Sequence, residues 1–186
     1  MKMNRIPVKV VWIKDIKGNV HSSVMLAIEE LTNAMPSTDF TSIKKFNSEY
    51  MGLITYCKEL LTIGKVKNRI PANVYWQVGK NLVTFVETNE TEYKFTNYRA
   101  AFQRDLNLTD SYIGIIMDFP KFFKEKEVLK TIPMSYYFEL ILKARSLEEK
   151  NLLNPEKERL IKLSNENKLP DHKIYRESLK SILSTK

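Results

Sequence analysis

Residues 95–119 read FTNYRAAFQRDLNLTDSYIGIIMDF, two short helical patterns on either side of a break too small for anything but a tight turn. In the first, Tyr98, Ala101, Phe102 and Leu106 recur at three- and four-residue intervals. Asn107-Leu108 makes the turn, and Thr109 is placed to cap the second helix, its hydroxyl accepting from backbone N–H groups two and three residues on. Ile113, Ile116 and Met117 are expected to turn inward there, leaving Asp110, Ser111, Gly114 and Asp118 outward. Two short helices around a tight turn, the second with an exposed leading edge, have the grammar of a helix-turn-helix, a unit able to enter the major groove of DNA.

The rest of the chain bounds what can surround this unit. Its 186 residues, 43% hydrophobic with only 5 Gly and 7 Pro, support a packed core rather than disorder. No apolar run approaches the roughly 18 residues of a membrane helix. The basic start, Met1-Lys2-Met3-Asn4-Arg5, is followed by an apolar run broken at Lys9 and Lys14, which does not read as a secretory signal. The single cysteine, Cys57, excludes an internal disulfide and sits on the apolar face of its helix, as a buried inert thiol would. The chain therefore reads as cytoplasmic. Its net charge of +8 permits nucleic acid as a partner, since phosphate attraction works without base contacts, but does not require it.

Taken in order, Val8-Lys9-Val10-Val11-Trp12-Ile13 is β-branched and aromatic, and Lys17-Gly18-Asn19 supplies a turn after it. One strand is expected, with Val20-His21 as an optional short partner. A lone strand cannot satisfy its own backbone, so its partner comes from elsewhere in the chain or from a second copy, a homodimer through the N-terminal portion. Ser22 or Ser23 is expected to cap a helix through Met25, Ile28, Leu31 and Ala34, stopped at Pro36. A second helix keeps strict spacing through Ile43, Phe46, Tyr50, Leu53, Cys57 and Leu60 up to Gly64. The basic stretch Lys65-Val66-Lys67-Asn68-Arg69 is the expected boundary, dividing a strand-plus-two-helix portion at residues 1–66 from a helical domain at 67–186. Pro71 opens a helix with Val74, Val78, Leu82 and Phe85 in one stripe, and Trp76 reads as core rather than as a base-stacking platform. Phe119-Pro120 is expected to end the second helix of the central unit. Ser135, Pro155 and Asp171 then start three further helices. The fold class is mainly α, with a small N-terminal α/β portion.

The stretch FQRDLNLTDSYIGIIMDF resembles the helix-turn-helix of ParB-type DNA-partition proteins, with Leu106, Leu108, Thr109, Ser111, Tyr112 and Ile113 in the places that family fills with leucines, a hydroxyl cap and a Ser-Tyr-Val-like helix start. A second likeness covers Asn73-Val74-Tyr75-Trp76-Gln77-Val78-Gly79, Arg104-Asp105-Leu106 and Ile132-Pro133-Met134-Ser135-Tyr136-Tyr137. These are similar to the N-terminal domain of YhcG-type proteins, which in that family precedes a nuclease domain. The resemblances imply a DNA-binding protein of partition, transcription regulation or nucleoid organisation, with double-stranded DNA as partner. Thr109 would set the recognition helix, Ser111 and Tyr112 would face the groove edge, and Asp110 and Gly114 would share that leading edge.

Base edges are commonly read by Arg, Lys, Asn or Gln, whereas this helix leads with Asp110 and Ser111 and carries Asp118 a turn later. Asp110 also suits the positive end of a helix, a purely structural role. Cations flank the unit: Lys94, Arg99 and Arg104 before it, Lys121, Lys124 and Lys126 after. Binding through these would be phosphate-dominated and steeply salt-dependent. The competing expectation is a protein-interaction module, with the helix-turn-helix as scaffold and its acidic edge toward a basic partner such as a nuclease. Catalysis is not expected. His21 and His172 stand isolated, no phosphate-cradling glycine loop occurs, and Asp171, Glu177 and Lys180 lack the Glu-x-Lys spacing of a PD-(D/E)XK nuclease. No cofactor or metal is implied.

Overall fold

A computed structural model of the chain describes residues 5–27, 40–65 and 69–184. In order these form β1 (Ile6–Lys14), β2 (Val20–Leu26), α1 (Phe40–Ile63), α2 (Ala72–Asn89), β3 (Tyr93–Phe95), α3 (Tyr98–Asp105), α4 (Asp110–Phe122), α5 (Met134–Glu149), α6 (Leu153–Asn165) and α7 (His172–Ser184). A single 3₁₀ turn, Glu125–Glu127, separates α4 from α5. The fold is mainly α with a small α/β portion, and among the described residues no helix is long and apolar enough to cross a membrane.

Two compact units make up the chain, and they interleave: Met1–Leu60 with Asn81–Gly114, and Leu61–Lys80 with Ile115–Lys186. The sequence boundary expected at residues 66/67 differs from this division, and Val66, Lys67 and Asn68 lie outside the described residues. The cause of the interleaving is β3. Its pairing to β1 draws the chain before and after it into the first unit.

In the first unit β1 is the central strand of a sheet ordered β2-β1-β3. It pairs antiparallel with β2, Val10 opposite Val24 and Trp12 opposite Ser22, and parallel with β3, Val8 opposite Phe95. Val20-His21 does return as a partner, at the start of the longer β2, and with β3 the first strand has two partners in its own chain, which removes the reason for a homodimer along this edge. The Ser22–Met25 part of the expected helix is strand instead. Gly18, at φ 82°, closes the hairpin, and the Asp15 carboxylate accepts from the Lys17 and Asn19 backbones at 2.8 Å each. That turn delivers Val20 onward to the β1 ladder, and ladder bonds outweigh a local capping signal. Ile28, Leu31 and Ala34 of that expected helix lie outside the described residues. Val8, Val10 and Val24 face a core of rings, Phe46, Tyr50, Phe85, Tyr93, Phe95 and Phe102, with centroids 4.7–6.4 Å apart. Asn97 ties α3 to the sheet, accepting from the Val10 N–H at 3.0 Å and donating to the Val10 carbonyl at 2.9 Å.

Cys57 is fully buried on α1, and burial pushes its thiol up to about 12. It is expected to stay unlabelled by a disulfide reagent at pH 8 in the native protein and to react stoichiometrically in denaturant. Rapid native labelling would contradict the packing.

In the second unit Phe119, Phe123 and Tyr137 form a triangle with centroids 5.1–5.5 Å apart. Trp76 is core, as expected, and its indole donates to the Phe123 carbonyl at 2.7 Å. Tyr137 Oη accepts from the Leu129 N–H at 2.8 Å and donates to the Glu127 carbonyl at 3.1 Å, fixing the connector between α4 and α5. Pro120 does not end α4; the helix continues two residues beyond it. The missing N–H leaves the Ile116 carbonyl without its ladder donor, and Gly79 of α2 packs its Cα directly against that oxygen. Ser135 lies within the first turn of α5 rather than capping it, with Pro133 before the helix, and Pro155 is the third residue of α6 rather than its opener. Asp171 does cap α7, accepting from the Lys173 N–H at 2.8 Å.

Three helices end alike. Asn107, Asn151 and Asn167 take φ 54–57° after α3, α5 and α6. In each case the next residue's N–H reaches back five residues: Leu108 to Gln103, Leu152 to Leu147, and Lys168 to Leu163. These are Schellman closures in which asparagine occupies the left-handed position usually given to glycine.

Candidate nucleic-acid interface

The central unit forms as two helices and a turn. After α3, Asn107 N–H donates to the Arg104 carbonyl at 3.2 Å and Leu108 N–H to the Gln103 carbonyl at 3.0 Å. Only Leu108 and Thr109 remain to bridge to α4. Thr109 accepts from the Tyr112 N–H at 3.3 Å through its hydroxyl, and from the Ile113 N–H at 2.9 Å through its carbonyl.

The leading edge is open only at its start. Asp110 and Ser111 are exposed, Tyr112 half-buried, and Ile113 fully buried in the first unit. Gly114 was expected to face outward, but Arg99 of α3 lies across it. A methyl group there would strike the guanidinium Nη2. Arg99 also pairs loosely with Asp110, Nε to Oδ1 at 3.8 Å, both side chains more than half exposed. At that distance and exposure the pair contributes little stability. Its consequence is positional: a cation occupies the α4 face that the α4 sequence itself leaves without one. Further along, Ile115, Ile116, Met117 and Phe119 are buried in the second unit, so α4 beyond its first turn is mainly a core helix.

The other expected cations are distributed as follows. In the first unit Lys94 is exposed on β3, and Arg104 stacks on the Trp12 ring at 4.4 Å from its centroid. In the second unit Lys121 is tied to Asp118 at 2.8 Å, while Lys124 and Lys126 are exposed on the connector after α4, with half-buried Phe122 and buried Phe123 beside them. The charge balance of the units differs sharply. Eleven Lys and Arg meet eleven Asp and Glu in the first unit, against nineteen and eleven in the second, which therefore carries the whole +8.

Asp105 is the polar centre that sequence reasoning passed over. Its Oδ1 accepts from Trp12 Nε1 at 2.9 Å and Ser22 Oγ at 2.6 Å, and its Oδ2 from Tyr50 Oη at 2.6 Å. One carboxylate thus joins β1, β2 and α1 to the end of α3. Burial first, and then this carboxylate, push the Tyr50 phenol far above its ordinary value, so it remains a donor. The signal was present in the sequence: a carboxylate at a helix C-terminus opposes the helix dipole and needs donors from outside.

Comparison with protein-family models, with curated proteins and with solved structures finds no match for the chain.

Proposed function

We propose that the chain is a non-enzymatic DNA-binding protein that holds duplex DNA chiefly through its phosphates, in partition, transcription regulation or nucleoid organisation. The observation that carries this reading is the gathering of all eight excess positive charges in the second unit, where the connector bearing Lys124 and Lys126 is exposed. Attraction of that kind is independent of base sequence. Two features of the first unit support an approach of α4 to the duplex: the capped, exposed turn Thr109-Asp110-Ser111, and Arg99 lying over Gly114. The likeness of residues 102–119 to ParB-type helices points the same way.

The test is an anisotropy titration of the full chain against a labelled random-sequence duplex. With about four phosphate contacts, affinity should fall on the order of 100-fold between 50 and 200 mM salt. The double substitution Lys124→Gln with Lys126→Gln should flatten the log–log salt slope by one to two units, about one per lost contact. Ser111→Arg, on the open turn of α4, should tighten binding severalfold. Absence of duplex binding at 50 mM salt sinks the proposal, and an unchanged Ser111→Arg affinity removes α4 from the interface.

The interaction-module reading is favoured by a separate observation. The β1–β2 hairpin exposes Ile13, Ile16 and Val20 at its turn end, within the unit that has no net charge. A chain indifferent to duplex at low salt would belong to that class.

A further inference from the structure

Helix α7 divides its length between a buried apolar side and an exposed basic one. Tyr175 and Leu179 are fully buried, and Ile182 and Leu183 half-buried. The Tyr175 ring lies 5.2 Å from that of Tyr136 on α5 and 5.7 Å from the Arg159 guanidinium of α6, and Ser178 accepts from Arg159 at 3.2 Å. On the solvent side Lys173, Arg176 and Lys180 recur at three- and four-residue intervals, all exposed, within an arc of about 60°. Glu177 is the only acid in the helix. Elsewhere in the second unit Lys121, Lys143, Lys157, Arg159 and Lys168 each sit 2.5–3.1 Å from a carboxylate. Among the described residues the three cations of α7 form no such pair. The entry to α7 is also tied to the basic connector, through adjacent tyrosines of α5. Tyr136 donates to the Pro170 carbonyl at 2.6 Å, while Tyr137 is bonded to Leu129 and Glu127 of the connector. One helix end thus sets the spacing between two basic segments.

We propose that the exposed face of α7 is a second phosphate-contacting surface, laid along one backbone strand of duplex DNA, with Lys173, Arg176 and Lys180 each on a phosphate. From Lys173 to Lys180 the helix rises about 10 Å, close to three base steps at about 3.4 Å each along one strand. The face carries no aromatic ring on which unpaired bases would stack, which disfavours a single strand. A lipid surface is disfavoured because Tyr175 and Leu179 are buried in the unit, leaving Ile174 as the one well-exposed large apolar side chain of α7. The inference rests on the duplex reading and adds to it an element that sequence-neutral binding uses without any part of α4.

Anisotropy titration of the full chain against a labelled random-sequence duplex, between 50 and 200 mM salt, tests it. The triple substitution Lys173→Gln, Arg176→Gln and Lys180→Gln should flatten the log–log salt slope by two to three units, about one per contact, and weaken binding about tenfold or more at 100 mM. Lys14→Gln with Lys17→Gln and Lys44→Gln removes the same charge from exposed positions of the first unit and should flatten the slope by less than about one unit. Glu177→Gln should tighten binding about threefold, a gain that impaired folding would not produce. A slope that ignores the α7 triple, equal flattening by the first-unit triple, or a Glu177→Gln chain that fails to tighten overturns the proposal and leaves the duplex reading in place. A parent chain that binds no duplex at 50 mM salt overturns both. Phosphatidylcholine vesicles carrying about 30% phosphatidylserine give the remaining arm. Vesicle binding that the α7 triple abolishes, with duplex affinity unchanged, would assign the face to a membrane instead.

Discussion

Replacing Gly79 with alanine is expected to destabilise the protein by about 3 kcal/mol, at the severe end of overpacking. The added methyl would overlap the Ile116 carbonyl oxygen, a backbone atom of α4 that cannot rotate aside. Relief requires α2 and α4 to move apart within the second unit, where Trp76 and Val78 on α2 and Ile116 and Met117 on α4 are buried. Alanine's better helix propensity returns only about 1 kcal/mol, so the clash decides the sign. Gly52 gives the control. It lies on the exposed face of α1, and a methyl there meets nothing within 4 Å. Gly52→Ala should therefore stabilise by about 0.5–1 kcal/mol. Urea midpoints of the two variants should move in opposite directions. A Gly79→Ala protein as stable as the parent would mean that the two helices do not meet through this glycine.

The Gly79 contact also shows what a linear reading can and cannot reach. Pro120 announces a helix end, because proline disfavours helical geometry in the residue before it. Inside a packed unit Gly79, distant in sequence, lies close against the Ile116 carbonyl that lost its ladder donor, and the helix runs on to Phe122. Local patterns were legible wherever the partner was also local. The stripe of α1, the Thr109 and Asp171 caps and the inward set Ile113, Ile116 and Met117 all follow from three- and four-residue spacing. Strand β2 was legible only at its start, Val20-His21; its continuation was hidden because Ser22-Ser23 before an apolar run has the form of a helix start, and only pairing with β1 selects the strand. Strand β3, three residues after a polar loop, has no periodicity to read. The charge map was hidden for the same reason. With residues 81–114 folded into the first unit, cations adjacent to α4 in sequence fall into two units of different charge. The Asn107, Asn151 and Asn167 closures were readable as a set, since a glycine-poor chain needs another residue at left-handed helix ends.

Asp105→Ala should cost about 2–4 kcal/mol, for three donors losing one acceptor in a part-buried, charge-assisted cluster. The loss exceeds that of an ordinary half-exposed carboxylate because three donors are stranded together. Trp12 Nε1–H can only donate, whereas the Ser22 and Tyr50 hydroxyls can rotate. That asymmetry ranks the substitutions. Asp105→Asn can keep its carbonyl oxygen on Trp12 and Ser22 and turn its amide toward Tyr50, whose oxygen then accepts. It forfeits charge assistance at the contacts it keeps and leaves only the rotatable Tyr50 hydroxyl without its acceptor, and should cost about 1–2 kcal/mol. Tyr50→Phe removes one donor and leaves the carboxylate two, again about 1–2 kcal/mol. Because Asp105 and Tyr50 share a bond, the double variant Asp105→Ala with Tyr50→Phe should fall short of the summed single losses by at least about 0.5 kcal/mol. A full sum, or an Asp105→Ala loss below about 1 kcal/mol, would make the cluster a surface ornament. The predicted ranking would make it the clamp that holds α3, and with it Arg99 and Arg104, against the sheet.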